Sequence, residues 1–121
     1  MDIADLAKEA GVSSRTIRYY GELGLLRAEG RGPGGRRIFG ADALERLRFI
    51  SRLKHLGLTL DEIAELNLAF DRGQTPGMLM ALEELLEEQL RLTAQRRREL
   101  DRLEEDLRHY LDRIRDKKKS T

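Results

Sequence analysis

Five side chains in two short stretches of the sequence could bind a polyanion. Arg15, Arg18 and Tyr19 fall in one predicted helix, at a spacing that leaves all three on its outer surface. Arg36 and Arg37 directly follow a glycine-rich turn. Arginine binds phosphate or forms two hydrogen bonds with guanine O6 and N7, and the tyrosine hydroxyl binds phosphate. These residue types predict contacts with the backbone and the major groove of double-stranded DNA.

The first group requires a helix-turn-helix to position it. Gly11 allows a turn with positive φ, and Ser13 is placed to cap a second helix over residues 14–22. Ile17 and Tyr20 then face inward, and the N-terminal part of the helix is free to enter the major groove. With the two arginines after the turn, the candidate DNA-binding residues are Ser14, Arg15, Thr16, Arg18, Tyr19, Arg36 and Arg37.

The second group belongs to a predicted hairpin wing. The string over residues 30–35 favours a turn or loop, and extended arms are expected at 25–28 and 36–39. Alternation along the second arm would send Arg36 and Arg37 to opposite faces, one toward DNA and the other toward the second helix. A solvated helix face or loop gives similar strings by itself. The turn before the helix and the hairpin after it favour the DNA-binding interpretation.

Helix caps predict the remaining elements of an N-terminal domain over residues 1–70. Asp2 is placed to cap the first helix and Asp42 the third, while Thr59 and Glu62 form a capping box for the fourth. The third helix carries an apolar stripe at Leu44, Leu47, Ile50 and Leu53.

A long helix is predicted after a linker at residues 71–77. Residues 78–116 contain no glycine or proline, and a basic tail follows at 117–121. Alternating steps of four and three residues mark a coiled-coil seam with a polar middle, so the helix requires a partner. The apolar members of this seam, predicted to dimerise, are Leu82, Leu86, Leu100, Leu103, Leu107, Tyr110 and Ile114.

The charge pattern of this helix favours an antiparallel homodimer. Its first half is rich in glutamate and its end is rich in arginine and lysine. An antiparallel pair that crosses near Arg97 places acid opposite base, whereas a parallel pair places like charges together.

Composition narrows the function further. The net charge of the 121 residues is +1, but residues 13–54 contain ten Lys and Arg against four Asp and Glu, which is the local surplus that phosphate contact requires. The absence of cysteine excludes thiolate metal sites, disulfides and cysteine redox switches, and the two histidines are far apart. No catalytic constellation is present, so we expect no enzyme, cofactor or metal. Without a signal peptide or an apolar span, we expect a cytoplasmic protein with no membrane partner.

These residues resemble the MerR family of bacterial transcription regulators. The resemblance covers residues 1–70 and extends to the long helix as the family's dimerisation helix. The strings that carry it are Ile3-Ala4-Asp5-Leu6-Ala7, Gly11-Val12-Ser13, Thr16-Ile17-Arg18-Tyr19-Tyr20, Gly24-Leu25-Leu26, Arg37-Ile38-Phe39 and Leu56-Gly57-Leu58-Thr59-Leu60-Asp61-Glu62-Ile63.

The resemblance implies a mainly α fold, in which a winged helix-turn-helix domain is followed by a long dimerisation helix in an antiparallel coiled coil. It implies a homodimer on a pseudo-palindromic promoter site that bends and untwists the spacer between two RNA-polymerase elements. The positions that match the family would place Arg15 and Arg18 in the groove, Tyr19 on a phosphate and Arg37 on the wing.

The sequence departs from the family pattern at two positions of this surface. Gly21 stands where an acidic residue usually follows the tyrosine pair, and Arg36 stands where the wing usually carries tyrosine. The sequence contains no cysteines like those of the family's metal sensors, and we expect no drug-binding domain, so the effector stays open. Regulation by abundance, by a protein partner or by a small molecule is compatible with the sequence. An alternative function is that of a structural adaptor on DNA that recruits partners through its coiled coil.

Overall fold

The computed structural model describes residues Met1–Ser120, and most of them are helical. Two compact units are present, one over residues 1–83 and one from residue 84 onward. Thr121, at the end of the predicted basic tail, lies outside the described residues. The elements are α1 (Ile3–Ala10), α2 (Ser14–Glu22), β1 (Gly30–Arg31), β2 (Arg37–Ile38), α3 (Ala41–His55), α4 (Leu60–Asp71) and α5 (Thr75–Lys119).

Side-chain caps set the helix-turn-helix, as predicted. The Asp2 carboxylate accepts a hydrogen bond from the Asp5 backbone at 2.9 Å, and α1 ends at Gly11 in the left-handed conformation with φ of 70°. Ser13 Oγ accepts a hydrogen bond from the Thr16 backbone at 3.0 Å. Each cap satisfies a backbone N–H group that has no partner within its helix. The predicted bounds of α2 are therefore confirmed.

The core of the first unit fixes the orientation of α2. Ile17 is 1% exposed and Tyr20 is 8% exposed, so the opposite face of the helix is left to solvent. Full burial of one leucine or isoleucine side chain contributes about 1.5–3 kcal/mol. The largest fully buried side chains of the described residues are Leu6, Ile17, Leu47, Ile50, Leu58 and Ile63.

The wing is shorter than the sequence predicted. Leu25 and Leu26 are both buried, so the first predicted arm packs into the core and does not alternate between two faces. The antiparallel strands β1 and β2 pair Arg31 with Arg37. The base of the wing is tied to the start of the chain, because the Phe39 backbone donates to the Met1 carbonyl at 2.6 Å.

Helix α3 differs from the prediction at its start. Gly40 occupies the cap position and contributes no side-chain hydrogen bond. Asp42 lies inside the first turn, where a negative charge interacts favourably with the helix dipole. Ala43 is buried and Leu44 is half-buried, so Ala43 replaces Leu44 as the first fully buried residue of the stripe.

Helix α5 is longer at both ends than the predicted 78–116. It begins at Thr75. Pro76 is compatible with the first turn, because the N–H group that proline lacks would have no partner within the helix there. At the other end, Lys117–Lys119 continue the helix, where positive charge favours the helix C-terminus. In the described part of the chain, no helix is long and apolar enough to cross a membrane.

Two glycines near the end of α2 offer a test of this backbone. Gly21 is helical, and a Cβ there would be in ordinary contact at 3.9 Å with the Arg37 guanidinium, whereas Gly24 has φ of +75°. We expect Gly21→Ala to raise the free energy of unfolding by about 0.5–1 kcal/mol, because alanine loses less backbone entropy. We expect Gly24→Ala to lower it by about 1–2 kcal/mol through left-handed strain. Urea unfolding at equal protein concentration measures both, and the opposite order would contradict the backbone described.

Candidate nucleic-acid interface

The outer face of α2 presents the predicted arginines and tyrosine to solvent. Arg15 and Arg18 are exposed, and Tyr19 is 49% exposed. The inward Tyr20 ring lies 6.3 Å from that of Tyr19, centroid to centroid. Burial raises the pKa of Tyr20, because the core disfavours the charged phenolate. The exposed side chains can reach a ligand without disturbing the core.

Two other predicted contacts lie in the first turn of α2 and are half-buried. Ser14 is the first helical residue. The Thr16 hydroxyl lies 2.9 Å from Ser13 Oγ, so it contacts the side chain that caps the helix. A DNA contact through this hydroxyl would share it with the cap. The roles of Ser14 and Thr16 on DNA stay predictions.

Four arginines from α2 and the wing line one cavity of about 500 Å³. It lies between α2, the wing and the start of α1, and Asp2 and Glu22 also line it. The four positive side chains outnumber the two negative ones, so the cavity favours an anion. The arginines are Arg18, Arg31, Arg36 and Arg37.

The sheet register brings two of these charges together. Arg31 and Arg37 are direct partners across the antiparallel pair. Like charges in this position repel, and an anion between them relieves the repulsion. Arg31 Nη1 also donates to the Gly35 carbonyl at 2.9 Å, which holds the Arg31 side chain across the turn. This arrangement suits a phosphate group.

Arg36 and Arg37 do not divide between opposite faces of a strand. Arg36 ends the turn before β2, so strand alternation does not apply to it, and both side chains line the cavity. Arg37 lies beside Gly21 of α2, because a Cβ added at Gly21 would come within 3.9 Å of Arg37 Nη1. Because Gly21 has no carboxylate, α2 offers Arg37 no acidic partner at this position.

Arg36 has a weak acidic partner in Asp2, the residue that caps α1. Its Nη1 atom lies 4.0 Å from Asp2 Oδ2, and its side chain is 78% exposed. The pKa of Asp2 is lowered, mainly by the hydrogen bond from the Asp5 backbone and only slightly by the charge of Arg36. An exposed pair at this distance contributes little to stability. Arg36 can therefore exchange Asp2 for a phosphate.

Sequence reasoning missed Arg31. We treated residues 30–35 as a turn and did not count Arg31 among the anion-binding residues. Its place there follows from its pairing with Arg37. A signal was present, because the two arginines stand three residues before and three residues after Gly34. The register that brings them face to face depends on the turn geometry, which composition does not specify.

The predicted seam on α5 is exposed along its second half. Leu100, Leu103, Leu107, Tyr110 and Ile114 are between 45% and 64% exposed. Such a row of exposed apolar side chains is typical of a surface that binds another protein. Leu82 and Leu86, at the start of the predicted seam, are half-buried. Two exposed leucines beside the seam, Leu90 and Leu111, were missed by the sequence reasoning.

Known protein families and relatives resemble this chain over most of its length. The family model of MerR HTH regulatory proteins matches residues 1–68, and a second model, MerR DNA binding, matches residues 44–110. An HTH-type transcriptional regulator of Pseudomonas aeruginosa is 36% identical over 117 residues, which cover 96% of this chain and 81% of that protein. The two matched family models describe transcription regulators rather than enzymes.

Two further comparisons concern a shorter match and a solved structure. The mercuric resistance operon regulatory protein of Bacillus cereus is 42% identical over 72 residues, which are 60% of this chain and 54% of that protein. The match thus spans about half the length of that relative. The crystal structure of HiNmlR, a MerR family regulator lacking the sensor domain and bound to promoter DNA, has a TM-score of 0.68. It is 29% identical, covering 84% of this chain and 78% of that one.

Arg31 provides a test of the arginine-lined cavity. We expect Arg31→Gln to weaken binding to any mixed-sequence duplex, because a phosphate contact is lost and no base contact changes. The slope of log affinity against log salt should decrease by about one for each Arg31 that binds a phosphate. Fluorescence anisotropy at several salt concentrations measures this slope. The control is Arg102→Gln, which removes the same charge from an exposed position on α5; an equal effect of both variants would refute the assignment.

Proposed function

Since the chain belongs to the MerR family of helix-turn-helix transcription regulators, we propose that it binds a pseudo-palindromic promoter site as a homodimer. The observation that carries this proposal is the cavity in which Arg18 of α2 meets the wing arginines Arg31, Arg36 and Arg37. One helix and one hairpin thereby direct positive charge toward the same side of the domain. A duplex can satisfy both at once, with the helix in its groove and the wing on its backbone.

Within each half-site, the α2 side chains divide the work of recognition. Arg15 and Arg18 enter the major groove, where a bidentate contact with guanine contributes about 1–3 kcal/mol of discrimination. Tyr19 donates its hydroxyl hydrogen to a phosphate and fixes the depth of the helix. The wing arginines bind phosphates beside the groove, which adds affinity but no sequence information.

The second unit supplies the dimer. Its exposed apolar row packs against the same row of a second chain in antiparallel orientation, and the acidic first half of each helix faces the basic end of the other. A two-fold axis then relates two DNA-binding domains. The domains read two half-sites separated by a whole number of helical turns, which accounts for a pseudo-palindrome.

The promoter spacer is the element on which the dimer acts. Two domains at a fixed separation bind a straight duplex poorly and a bent, untwisted one well. Bending a site of this size by 40–90° costs about 1–6 kcal/mol, which additional phosphate contacts offset. A distorted spacer brings the two polymerase elements into register, so RNA polymerase can engage both. The protein thus changes transcription through DNA shape.

Subunit association has a direct test in the seam. We expect Leu103→Glu with Leu107→Glu to yield monomers, because four buried carboxylates per dimer would replace apolar contacts. The monomers should bind an operator weakly, since each holds only one half-site. The control pair, Ala94→Glu with Gln95→Glu, adds the same charge beside the seam and should remain dimeric. Light scattering after size exclusion decides, and a dimeric Leu103/Leu107 variant would disprove the seam.

The regulatory function is tested by a genome-wide binding map of the purified protein, followed by a nuclease footprint on the strongest site. We expect a two-fold symmetric footprint between the polymerase elements, with enhanced cleavage at its centre where the duplex is distorted. Arg18→Glu should weaken operator binding by about 30-fold or more, the equivalent of about 1 kcal/mol in each half-site. Arg102→Glu reverses a charge on α5 and is the control.

Other outcomes separate the alternatives. Unchanged operator affinity of Arg18→Glu, with an intact helical spectrum, would remove α2 from the groove. Scattered binding without a symmetric centre would contradict promoter regulation and favour the structural adaptor.

A further inference from the structure

The predicted seam of α5 is symmetric about residue 98. Its ten positions follow alternating steps of four and three residues, and the first and last steps are both four. Each position therefore has a counterpart at the same distance on the other side of residue 98. In an antiparallel pair of identical helices centred there, seam positions meet only seam positions. The layers are Leu82 with Ile114, Leu86 with Tyr110, Gln89 with Leu107, Thr93 with Leu103 and Arg96 with Leu100.

Arg96 is the one charged residue of this seam. Its aliphatic stem can pack on the partner's Leu100, but its guanidinium group needs an acidic partner if the seam is to close around it. The other two polar positions make no such demand, because Thr93 Oγ1 already donates to the Gln89 carbonyl at 2.8 Å and glutamine carries no charge. The surroundings of Arg96 therefore distinguish one register of the pair from another.

Arg96 and Glu99 form no ion pair within residues 1–120, although they stand three residues apart on the helix. Elsewhere on α5, acid and base within one turn do pair, as Glu104 and Arg108 do at 3.0 Å. Glu99 accepts a hydrogen bond of 3.4 Å from the Gln95 amide, and the side chains of Arg96 and Glu99 are both exposed. Their charges are therefore available to a second copy of the helix.

The register centred at residue 98 brings these two side chains together across the pair. The partner's Glu99 lies level with residue 97, which is one residue or about 1.5 Å along the helix from Arg96. Residues three apart share one side of a helix, and in an antiparallel pair the same sides of the two seams face each other. Two ion pairs then flank the two-fold axis. On the opposite flank the two Arg97 side chains approach each other, and each has Asp101 one turn away.

A shift of the axis toward the start of the helix loses these ion pairs. The heptad pattern is restored when the axis moves by half a heptad, to a point between residues 94 and 95. Arg96 then meets the partner's Leu92 on its flank of the seam and no carboxylate. On the other flank, Glu83 lies beside the partner's Glu104, and the two like charges repel.

A shift toward the end of the helix loses apolar contacts. With the axis between residues 101 and 102, Arg96 can reach the partner's Asp106. Leu86, however, then meets Lys117 in place of Tyr110, so its apolar burial is lost in both chains. The register centred at residue 98 is the one of the three that satisfies the apolar and the charged side chains together.

We propose that Arg96 and the partner's Glu99 form two symmetry-related ion pairs at the centre of the coiled coil, and that these pairs select both the register and the identity of the partner. The proposal rests on the proposed homodimer and adds the residues that make it specific for a second copy of this chain. A charged pair in a seam adds little net stability, because desolvation offsets most of its attraction, but a mismatched copy leaves a charge unpaired. Polar seam residues fix the register of other coiled coils in this way.

Two charge reversals give complementary chains. Arg96→Glu places four carboxylates at the centre of its own dimer, and Glu99→Arg places four guanidinium groups there. We expect each variant alone to dimerise at least about ten-fold more weakly than the wild type, and the equimolar mixture to form heterodimers about as tightly as the wild type. Native mass spectrometry counts the species, and sedimentation equilibrium gives the dissociation constants. The control pair, Arg98→Glu and Glu105→Arg, reverses the same charges at exposed positions away from the seam and should mix statistically.

A distance measurement identifies the register directly. The sequence contains no cysteine, so Glu84→Cys provides a single site for a spin label at an exposed position. In the register centred at residue 98 the two labels are about 42 Å apart along the helices, and a shift by one register changes this separation by about 10 Å. Pulsed dipolar spectroscopy of the dimer without DNA resolves that difference.

Three results would overturn the proposal. The first is that either reversal alone dimerises as tightly as the wild type, and the second is that the mixture shows no preference for the heterodimer. The third is a label separation that matches a shifted or a parallel register. All three leave the homodimer itself intact, whereas a monomeric wild-type chain would contradict the homodimer and this proposal together.

Discussion

The burial of Ile17 and Tyr20 determines which way α2 faces, and the proposed DNA-binding surface depends on that orientation. The two residues are three apart, so they occupy one side of the helix and anchor it to the core. The opposite side of the helix is then exposed to solvent. It carries Arg15, Arg18 and Tyr19 and is the proposed recognition face. A slip of one position would bury an arginine and expose an isoleucine, at a cost of several kcal/mol. The core thus specifies the recognition face more strongly than any polar contact within it.

The wing has the opposite energetics, because it gathers charges that repel. Arg31 opposes Arg37, and Arg18 and Arg36 line the same cavity. Backbone pairing holds this cluster together, including the hydrogen bonds from Glu29 to the Ile38 carbonyl at 2.8 Å and from Gly32 to the Arg36 carbonyl at 2.7 Å. Because the backbone holds these arginines in place before an anion binds, little conformational entropy is lost on binding. The anion also relieves the repulsion among the arginines, which favours binding further.

Signals within a few residues predicted three of the four proposed helix caps; the exception is Asp42, which lies inside the first turn of α3. The caps at Asp2, Ser13 and Thr59 depend on side chains within a few residues, and all three occur as predicted. Features that depend on distant contacts were missed. Leu25 is buried in the core where we expected a strand, and the isolated amide of Asn67 appears only once α3 and α4 have packed. The candidate site was found where a motif supplies it, whereas Arg31 required the register of the folded hairpin.

The three tyrosines occupy three distinct environments, and the sequence contains no tryptophan. Tyr19 is exposed on the recognition face, Tyr20 is buried in the core, and Tyr110 is exposed on the apolar row of α5, with the Arg113 guanidinium 5.6 Å from its ring centroid. Intrinsic ultraviolet signals of the unlabelled protein therefore come from three residues with separate physical meanings. Quenching and solvent-perturbation spectra of single Tyr→Phe variants would separate the proposed DNA contact, the core and the proposed subunit contact. Each tyrosine is therefore an intrinsic spectroscopic probe of a different part of the molecule.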